Sequence, residues 1–265
     1  MTRYRLPRGM RYSTLNEREQ FYRKEFDVEK VCDWLTWSPQ RMVFAAVIGR
    51  HTQIYPAKYR DDASTTIIIR RYRNLEEVQE RLVELTPESA YYDRNLYDSN
   101  GKQIGQELAF DLDPENIVCP VHGSLEEKMK RHQGLAFCKL ELQLVKNEAI
   151  RLYETLQKQF SAVKIVYSGR GYHIHILDKE VFRMSYNERQ RLAQKIKAAN
   201  FPIDEWVTTG GVRLIRLPYS LHGMVSRIAT PVTIGEMKRF DPITDPRCIP
   251  KFLKDQTTRS RGKAT

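Results

Sequence analysis

Three features are scarce in this chain of 265 residues, and each scarcity excludes a class of protein. The chain has only four cysteines, Cys32, Cys119, Cys138 and Cys248, too few for a disulfide scaffold in a chain of this size. It has no run approaching the roughly 18 apolar residues that cross a bilayer. Its first residues lack the apolar centre of a signal peptide. We therefore expect a soluble intracellular protein that has no membrane partner.

Acidic residues are also in the minority. The chain has 33 Asp and Glu against 44 Lys and Arg, which gives a formal net charge of +11 and an isoelectric point near 9.5. Such an excess favours a polyanionic partner, because bound cations release the counterions of the polyanion. Charge alone leaves the partner open, since many basic proteins bind no nucleic acid. The 41% of hydrophobic residues is typical of a packed globular protein rather than a disordered one.

Hydrophobic periodicity predicts the secondary structure. Helical patterns cover residues 16–35, 74–85, 138–160 and 185–200. Strand-like runs cover residues 42–49, 65–72, 107–113, 162–169, 172–177, 212–218 and 227–234. The mixed order of the two kinds of element predicts an α/β or α+β sheet protein. With no internal repeat and no long Gly/Ser linker, we expect a single domain over residues 16–250, flanked by a basic arm at 1–15 and a basic tail at 251–265.

Two aspartates end one of these strands, in the segment ELAFDLD at 107–113. Residues two apart on a strand share a face, so Asp111 and Asp113 should point the same way about 7 Å apart, with Leu112 turned into the core. Their mutual repulsion would be relieved by a divalent cation of the kind that phosphoryl-transfer enzymes use. A solvated strand end is the alternative interpretation.

The segment YSGRGYHIHI, residues 167–176, predicts two strands joined by a glycine-containing turn. Gly169 would let main-chain N–H groups approach an anion, with Arg170 as the counter-charge. His173 and His175 would share a face of the second strand. An ordinary tight hairpin with an exposed arginine explains the same residues.

Cysteine and histidine cluster just after the aspartates. Cys119, His122, His132 and Cys138 form a Cys-x-x-His and His-x(5)-Cys set within twenty residues, which could close a tetrahedral structural zinc site. Buried thiols are the alternative. Further along, residues 203–223 read IDEWVTTGGVRLIRLPYSLHG and place Arg216 on a strand shortly before His222, so a cation and an imidazole could reach one pocket.

Taken in order, ELAFDLD, YSGRGYHIHI and RLIRLPYSLHG resemble the motifs of the small, catalytic subunit of archaeal and eukaryotic DNA primases, within the primase-polymerase superfamily. The resemblance runs from about Asn16 to residues 240–246. It implies an α+β catalytic core of mixed, largely antiparallel sheets flanked by helices, with a small zinc-binding knuckle at about 119–138. Only 90 residues lie between Asp113 and Asp204, so we expect a compact form without the helical subdomain often inserted there.

The resemblance also implies roles for individual residues. Asp111 and Asp113 match the first two of three aspartates that hold two Mg²⁺ or Mn²⁺ ions, and Asp204, eighteen positions before His222, matches the third. The residues that match the nucleotide-binding positions are Ser168, Gly169, Arg170, His173, Arg216 and His222. Two further candidates, Arg50 and His51, only occupy the corresponding region. The position of Cys119, His122, His132 and Cys138 matches the structural zinc site of the family.

The function implied is DNA-templated nucleotidyl transfer that synthesises primers on single-stranded DNA. The implied partners are a single-stranded DNA template, nucleoside triphosphates and a primase large subunit or other replication protein, in a cytoplasmic, nucleoid-associated setting. One alternative is a gap-filling or end-joining polymerase of the same superfamily, which extends primers but does not start them. A second is a non-catalytic, zinc-containing nucleic-acid-binding module.

Overall fold

The structure is a computed structural model that describes residues 6–38, 42–61 and 65–254. Residues 1–5 of the predicted arm and 255–265 of the predicted tail lie outside the described residues, so the predictions for them stay predictions. The α-helices among the described residues are α1 Leu15–Lys24, α2 Val28–Leu35, α3 Leu75–Leu85, α4 Leu125–Lys130, α5 Lys139–Leu156, α6 Tyr186–Ala198, α7 Glu205–Thr209 and α8 Ile234–Met237. None of them is long and apolar enough to span a bilayer.

The strands are interspersed with these helices along the chain. They are β1 Phe44–Val47, β2 Thr66–Ile69, β3 Ser89–Asp93, β4 Asn95–Tyr97, β5 Gln103–Gln106, β6 Leu108–Leu112, β7 Val163–Tyr167, β8 Tyr172–Ile176, β9 Leu214–Arg216, β10 Leu221–His222, β11 Arg227–Ile228 and β12 Thr230–Val232. One four-stranded sheet has the order β2-β1-β3-β9 and another the order β12-β7-β8-β6, while β4-β5 and β10-β11 form two-stranded pairs. The α+β class with largely antiparallel sheets is confirmed.

The described chain divides into two compact units, neither of them continuous in sequence. The first contains residues 6–9, 94–213 and 231–240, and the second contains residues 10–93, 214–230 and 241–254. The prediction of a single domain over residues 16–250 stays a prediction.

In the first unit the long helix α5 packs on β7 and β8. Its buried apolar residues recur at helical spacing and form one stripe: Leu142, Val145, Ala149, Leu152 and Leu156. The antiparallel pairing of β6 with β8 places Asp111 opposite His173 and Leu112 opposite Tyr172. This register sets the two predicted motifs side by side on neighbouring strands.

In the second unit every residue of the central strand β1 is buried, and α1 packs against α3. The predicted helix 16–35 is two helices, because Asp27 ends the first pattern and caps α2 by accepting a hydrogen bond from the N–H of Lys30. The predicted strand 227–234 is likewise two short strands that separate at Ala229.

Candidate active site

Asp111 and Asp113 lie at the end of the outer strand β6 of the second sheet. Leu112 between them is fully buried, and Asp113 continues the extended backbone with φ of −115° and ψ of 159°. Alternation along the strand therefore gives the two carboxylates a common face, as the sequence predicts. The side chain of Asp111 is 21% exposed, so a solvated cation can reach it.

Asp204 is joined to this strand through the main chain. Its N–H donates a hydrogen bond of 2.9 Å to the carbonyl oxygen of Asp111. Its side chain caps α7 by accepting a hydrogen bond of 2.9 Å from the N–H of Trp206. The fold thus brings together the three aspartates that the sequence singles out, although Asp204 lies far from the other two along the chain.

The predicted glycine turn is a hairpin loop between β7 and β8. The N–H of Ser168 donates to the carbonyl oxygen of Gly171, and the N–H of Gly171 donates to the hydroxyl oxygen of Ser168. Gly169 has a φ of +109°, which a side chain would strain. A Cβ on Gly171 would lie 2.1 Å from the carbonyl oxygen of Leu112 and 2.3 Å from Oδ1 of Asp113. Glycine is needed here because the loop touches the aspartate strand.

Arg170 is a buried cation set among carboxylates. Its Nη2 lies 2.7 Å from Oε1 of Glu115 and donates to the carbonyl oxygen of Leu135, and its guanidinium lies over the ring of Phe137. Burial alone would lower the pKa of Arg170, but the negative charges of Glu115, Asp113 and Asp111 outweigh it and raise the pKa. Arg170 therefore stays charged and helps to balance the acidic cluster.

The two histidines of β8 have different surroundings. Nε2 of His173 lies 3.4 Å from Oδ1 of Asp111, so this ring borders the aspartates. His175 is fully buried, and its Nδ1 is hydrogen-bonded to the buried carboxylate of Glu107. The ring centroids lie 5.9 Å apart, as residues sharing one face of a strand would place them. His173 is thus placed to act at the site, while His175 supports it from the core.

The Cys/His segment forms a small knuckle in the first unit. Cys119 and Gly123 exchange main-chain hydrogen bonds, and this tight turn brings Nδ1 of His122 to 3.3 Å from Sγ of Cys119. Sγ of Cys138, at the N-terminus of α5, lies 4.0 Å from Sγ of Cys119. Together with a carboxylate oxygen of Glu141, these ligand atoms all lie within 4.8 Å of one another. Such a set of soft and borderline donors suits zinc.

Two details distinguish this cluster from the predicted one. His132 is exposed and is not a member of the group, whereas Glu141 is. Glu141 is fully buried, accepts a hydrogen bond from the N–H of Cys138 and pairs with buried Lys128 at 2.5 Å. Burial raises the pKa of the Cys138 thiol to about 11, and the charges of Glu141 and Cys119 act in the same direction. Both thiols would ionise on binding a cation.

The remaining predicted nucleotide contacts belong to the second unit. Arg216 lies on β9 with its guanidinium over the ring of Tyr91, and its Nη2 donates to the hydroxyl of Tyr91 at 3.1 Å. His222 lies on β10 opposite Arg227 and is buried. Arg50 and His51 are exposed in a turn after β1. The N–H of His51 donates to the buried carboxylate of Glu88, which orders that turn. Their roles stay predictions.

Sequence reasoning missed three acids of the first unit, of which Glu107 and Glu141 are fully buried. Glu115 holds Arg170, Glu107 holds His175, and Glu141 joins the knuckle. The first two carry no local signal, because each partner comes from a segment far away along the chain. Glu141 does have one: it stands three residues after the N-cap Cys138, the spacing of a capping box.

Comparisons with known proteins identify the family of the chain. A protein of Archaeoglobus fulgidus described as an uncharacterized DNA primase small subunit-like protein is 45% identical over 275 residues, 97% of each chain. The DNA primase small subunit of Pyrobaculum calidifontis is 26% identical over 63% of this chain and 67% of its own. That of Pyrococcus furiosus is also 26% identical, over 72% of this chain and 50% of its own. No family model matches.

A solved structure shares the fold. The polymerase domain of Mycobacterium tuberculosis ligase D, in complex with DNA, aligns over 93% of this chain and 89% of that one, with a TM-score of 0.55 and 15% identity. The chain therefore shares the fold of that polymerase domain. From its likeness to the Archaeoglobus protein along nearly its whole length, the chain belongs to the DNA primase small-subunit family. This family is one of nucleotidyltransferases.

Proposed function

We propose that this chain is a DNA-templated nucleotidyltransferase that synthesises primers on single-stranded DNA. The observation that carries the proposal is that the strand end with Asp111 and Asp113 touches the Ser168–Gly171 loop and is joined to Asp204 by a main-chain hydrogen bond. Two carboxylates at one strand end, a third on the segment bonded to that strand, a buried arginine and a histidine provide the groups that phosphoryl transfer to a hydroxyl requires.

The carboxylates fit divalent metal ions. Oxygen donors are what Mg²⁺ and Mn²⁺ prefer, and the partial exposure of Asp111 leaves room for a hydrated ion. Asp111, Asp113 and Asp204 would hold two such ions. When bound, they would lower the pKa of the attacking hydroxyl and stabilise the leaving pyrophosphate.

The chain's own residues would position the nucleoside triphosphate. The hydroxyl of Ser168 and the main-chain N–H groups of Gly169 and Arg170 would donate to phosphate oxygens, with the Arg170 side chain as a fixed positive charge that Glu115 already orients. His173, next to Asp111, would contact the same phosphates. We assign the corresponding contacts of the second unit to Arg216 and His222, with Arg50 and His51 as further candidates.

The other partners follow from charge and from the knuckle. The net charge of +11 favours a single-stranded DNA template. We propose that Cys119, His122 and Cys138 bind one structural Zn²⁺ beside the aspartate strand. A primase large subunit or another replication protein is the proposed protein partner.

Synthesis on unprimed single-stranded DNA tests the proposal. Wild-type protein would be offered labelled ribo- and deoxynucleotides separately with Mg²⁺ or Mn²⁺, with and without an annealed primer. Asp111→Asn should reduce product by more than about a hundredfold, beyond the loss seen for residues that only orient metal ligands. Asp33→Asn, an isosteric change at an exposed position of α2, is the matched control and should leave product unchanged.

The outcomes separate the candidate functions. Product from unprimed template that Asp111→Asn abolishes establishes a primase and its choice of sugar. Product only from primed template would identify the chain as a gap-filling or end-joining polymerase. Nucleic-acid binding with no metal-dependent nucleotide binding, unchanged in Asp111→Asn, would identify a non-catalytic module.

A further inference from the structure

Asp204 also borders a cavity that the proposed chemistry does not use. This cavity of 680 Å³ lies within the first unit and is lined by residues of α6 and α7 and by Asn116. Its wall includes two aromatic side chains, Trp206 and Tyr186, and two amides, Asn116 and Gln190. Because Asp204 is part of the same wall, an occupant would lie beside the carboxylate of Asp204.

Trp206 is 70% exposed, whereas Trp34 is 5% exposed. The backbone of Trp206 is fixed all the same: its N–H is held by Asp204 and its carbonyl oxygen accepts from the N–H of Val212. A Cβ on Gly211 would lie 3.1 Å from Cε3 of the indole, so the ring rests on this glycine. A large aromatic face that is held in place and open to solvent is a stacking surface for a planar ligand.

Helix α6 supplies a second aromatic ring and an amide to this cavity. Tyr186 opens α6 and is 57% exposed, and Gln190 follows one turn later on the same helix. Amide side chains both donate and accept hydrogen bonds, which is what the edge of a nucleobase offers. Aromatic rings with amides between them suit a base better than an aliphatic ligand.

A second cavity adjoins the first and supplies positive charge. Its volume is 620 Å³, and it shares Tyr186 and Thr209 with the first cavity. Three arginines line it, Arg183, Arg189 and Arg213, and no described lining residue is acidic. Arg189 is buried and bonded to main-chain carbonyl oxygens, so it shapes the wall. Arg183 is exposed and Arg213 half-buried.

We propose that these adjoining cavities form one groove for single-stranded DNA, in which a base stacks on Trp206 and Tyr186 and its phosphate faces Arg183 and Arg213. The alternation of an aromatic and a cationic surface matches the alternation of base and phosphate along a strand. The inference rests on the proposed function, since it places the strand next to the catalytic aspartates.

Binding without catalysis tests the groove. A fluorescein-labelled single-stranded oligonucleotide would be titrated by anisotropy with no nucleotide and no added Mg²⁺ or Mn²⁺. Trp206→Ala should weaken binding by about tenfold, the size of one base–aromatic stack, while Trp206→Phe should stay within about twofold. Quenching of indole fluorescence by unlabelled oligonucleotide should be much smaller in Trp206→Phe than in the wild type.

A matched pair of variants tests the arginine-lined cavity. Arg183→Ala should reduce the slope of log affinity against log salt by about 0.7, the value for one phosphate contact on a single strand. Arg191→Ala removes the same charge from an exposed position on α6 that lines neither cavity, and should leave the slope unchanged. Thermal melting of each variant establishes that it is folded.

The two proposals fail in different ways. If the wild type makes primers but folded Trp206→Ala binds the oligonucleotide as the wild type does, the groove is wrong and the function stands. If the wild type makes no product but Trp206→Ala and Arg183→Ala weaken binding as expected, the groove stands and the proposed function is wrong. Equal effects of Arg183→Ala and Arg191→Ala on the slope would mean that the arginines act only through the general surface charge. That result would contradict the role proposed for the arginine-lined cavity.

Discussion

The main-chain N–H of Asp204 donates a hydrogen bond of 2.9 Å to the carbonyl oxygen of Asp111. The position of the third aspartate is therefore set by backbone, and its side chain has a second task as the N-cap of α7. Charge and capping at this residue can be separated by the choice of substitution.

Asp204→Asn should keep the fold and lose the chemistry. Asparagine caps helices as well as aspartate does, so the temperature of unfolding should barely change, while the missing charge should reduce metal-dependent synthesis by more than about a hundredfold. Asp204→Ala removes the cap as well and should also lower the free energy of unfolding by about 1 kcal/mol. Melting curves and primer synthesis on both variants check this. Equal stability of the two would show that the cap contributes nothing.

Gly171→Ala should disturb the aspartate strand. The added Cβ would lie 2.1 Å from the carbonyl oxygen of Leu112 and 2.3 Å from Oδ1 of Asp113, and one of these is rigid backbone. We expect a loss of about 1–3 kcal/mol in unfolding free energy, typical of overpacking, together with loss of synthesis. Gly235→Ala is the control, since no atom lies within 4 Å of its Cβ. Unchanged activity in Gly171→Ala would mean that the loop can move away from Asp113.

The knuckle should bind one zinc ion per chain through Cys119, His122 and Cys138. Elemental analysis of purified protein should find this ratio in the wild type and a large loss in His122→Ala. His132→Ala should keep the metal, because His132 is exposed and lies outside the ligand cluster. Loss of zinc in His132→Ala would instead support the ligand set predicted from the sequence.

The negative charge of Glu17, in the first turn of α1, should stabilise the protein near neutral pH and lose this effect in acid. Partial burial would raise the pKa of Glu17, but hydrogen bonds from Arg11 and from the N–H of Thr14 outweigh it and lower the pKa. The unfolded state therefore binds more protons as the pH falls, so this stabilisation is present above the usual pKa of 4.5 and is lost as the pH falls through the lower folded value.

Glu17→Gln isolates that charge, since glutamine can also complete a capping box. Denaturant unfolding at several pH values should show the variant less stable than the wild type near neutrality. The difference should shrink below pH 4.5. A difference that did not vary with pH would assign the effect of Glu17 to its shape and not to its charge.

Local signals in the sequence were sufficient for much of this fold. Asn74 and Ser185 cap α3 and α6 at the predicted starts, and the strands that carry Asp111 and His173 lie within the predicted runs 107–113 and 172–177. Strand β3 was missed, because its sequence SAYYD lacks an apolar alternation. It is a strand through its pairing with β1 and β9, which is a tertiary effect.

The features of the candidate site likewise divide into those that local sequence predicts and those that depend on the fold. Asp111, Asp113 and the Ser168–Gly171 loop could be predicted because each lies within one short segment. The contact of Asp204 with Asp111 and the pairing of Arg170 with Glu115 could not, because they join segments far apart in the chain. Trp206 carries no local signal either, since only the fold determines whether an aromatic residue is buried or exposed.

The ladder between β6 and β8 also restricts how this protein can evolve or be engineered. A single residue inserted into β6 before Asp111 would turn the aspartates inward and the leucine outward, since faces alternate along a strand. Changes in length must therefore fall in turns, such as the exposed Asn100–Gly101 tip between β4 and β5, where no neighbour limits the added atoms. A tag or fused domain inserted at that tip should leave the chemistry intact.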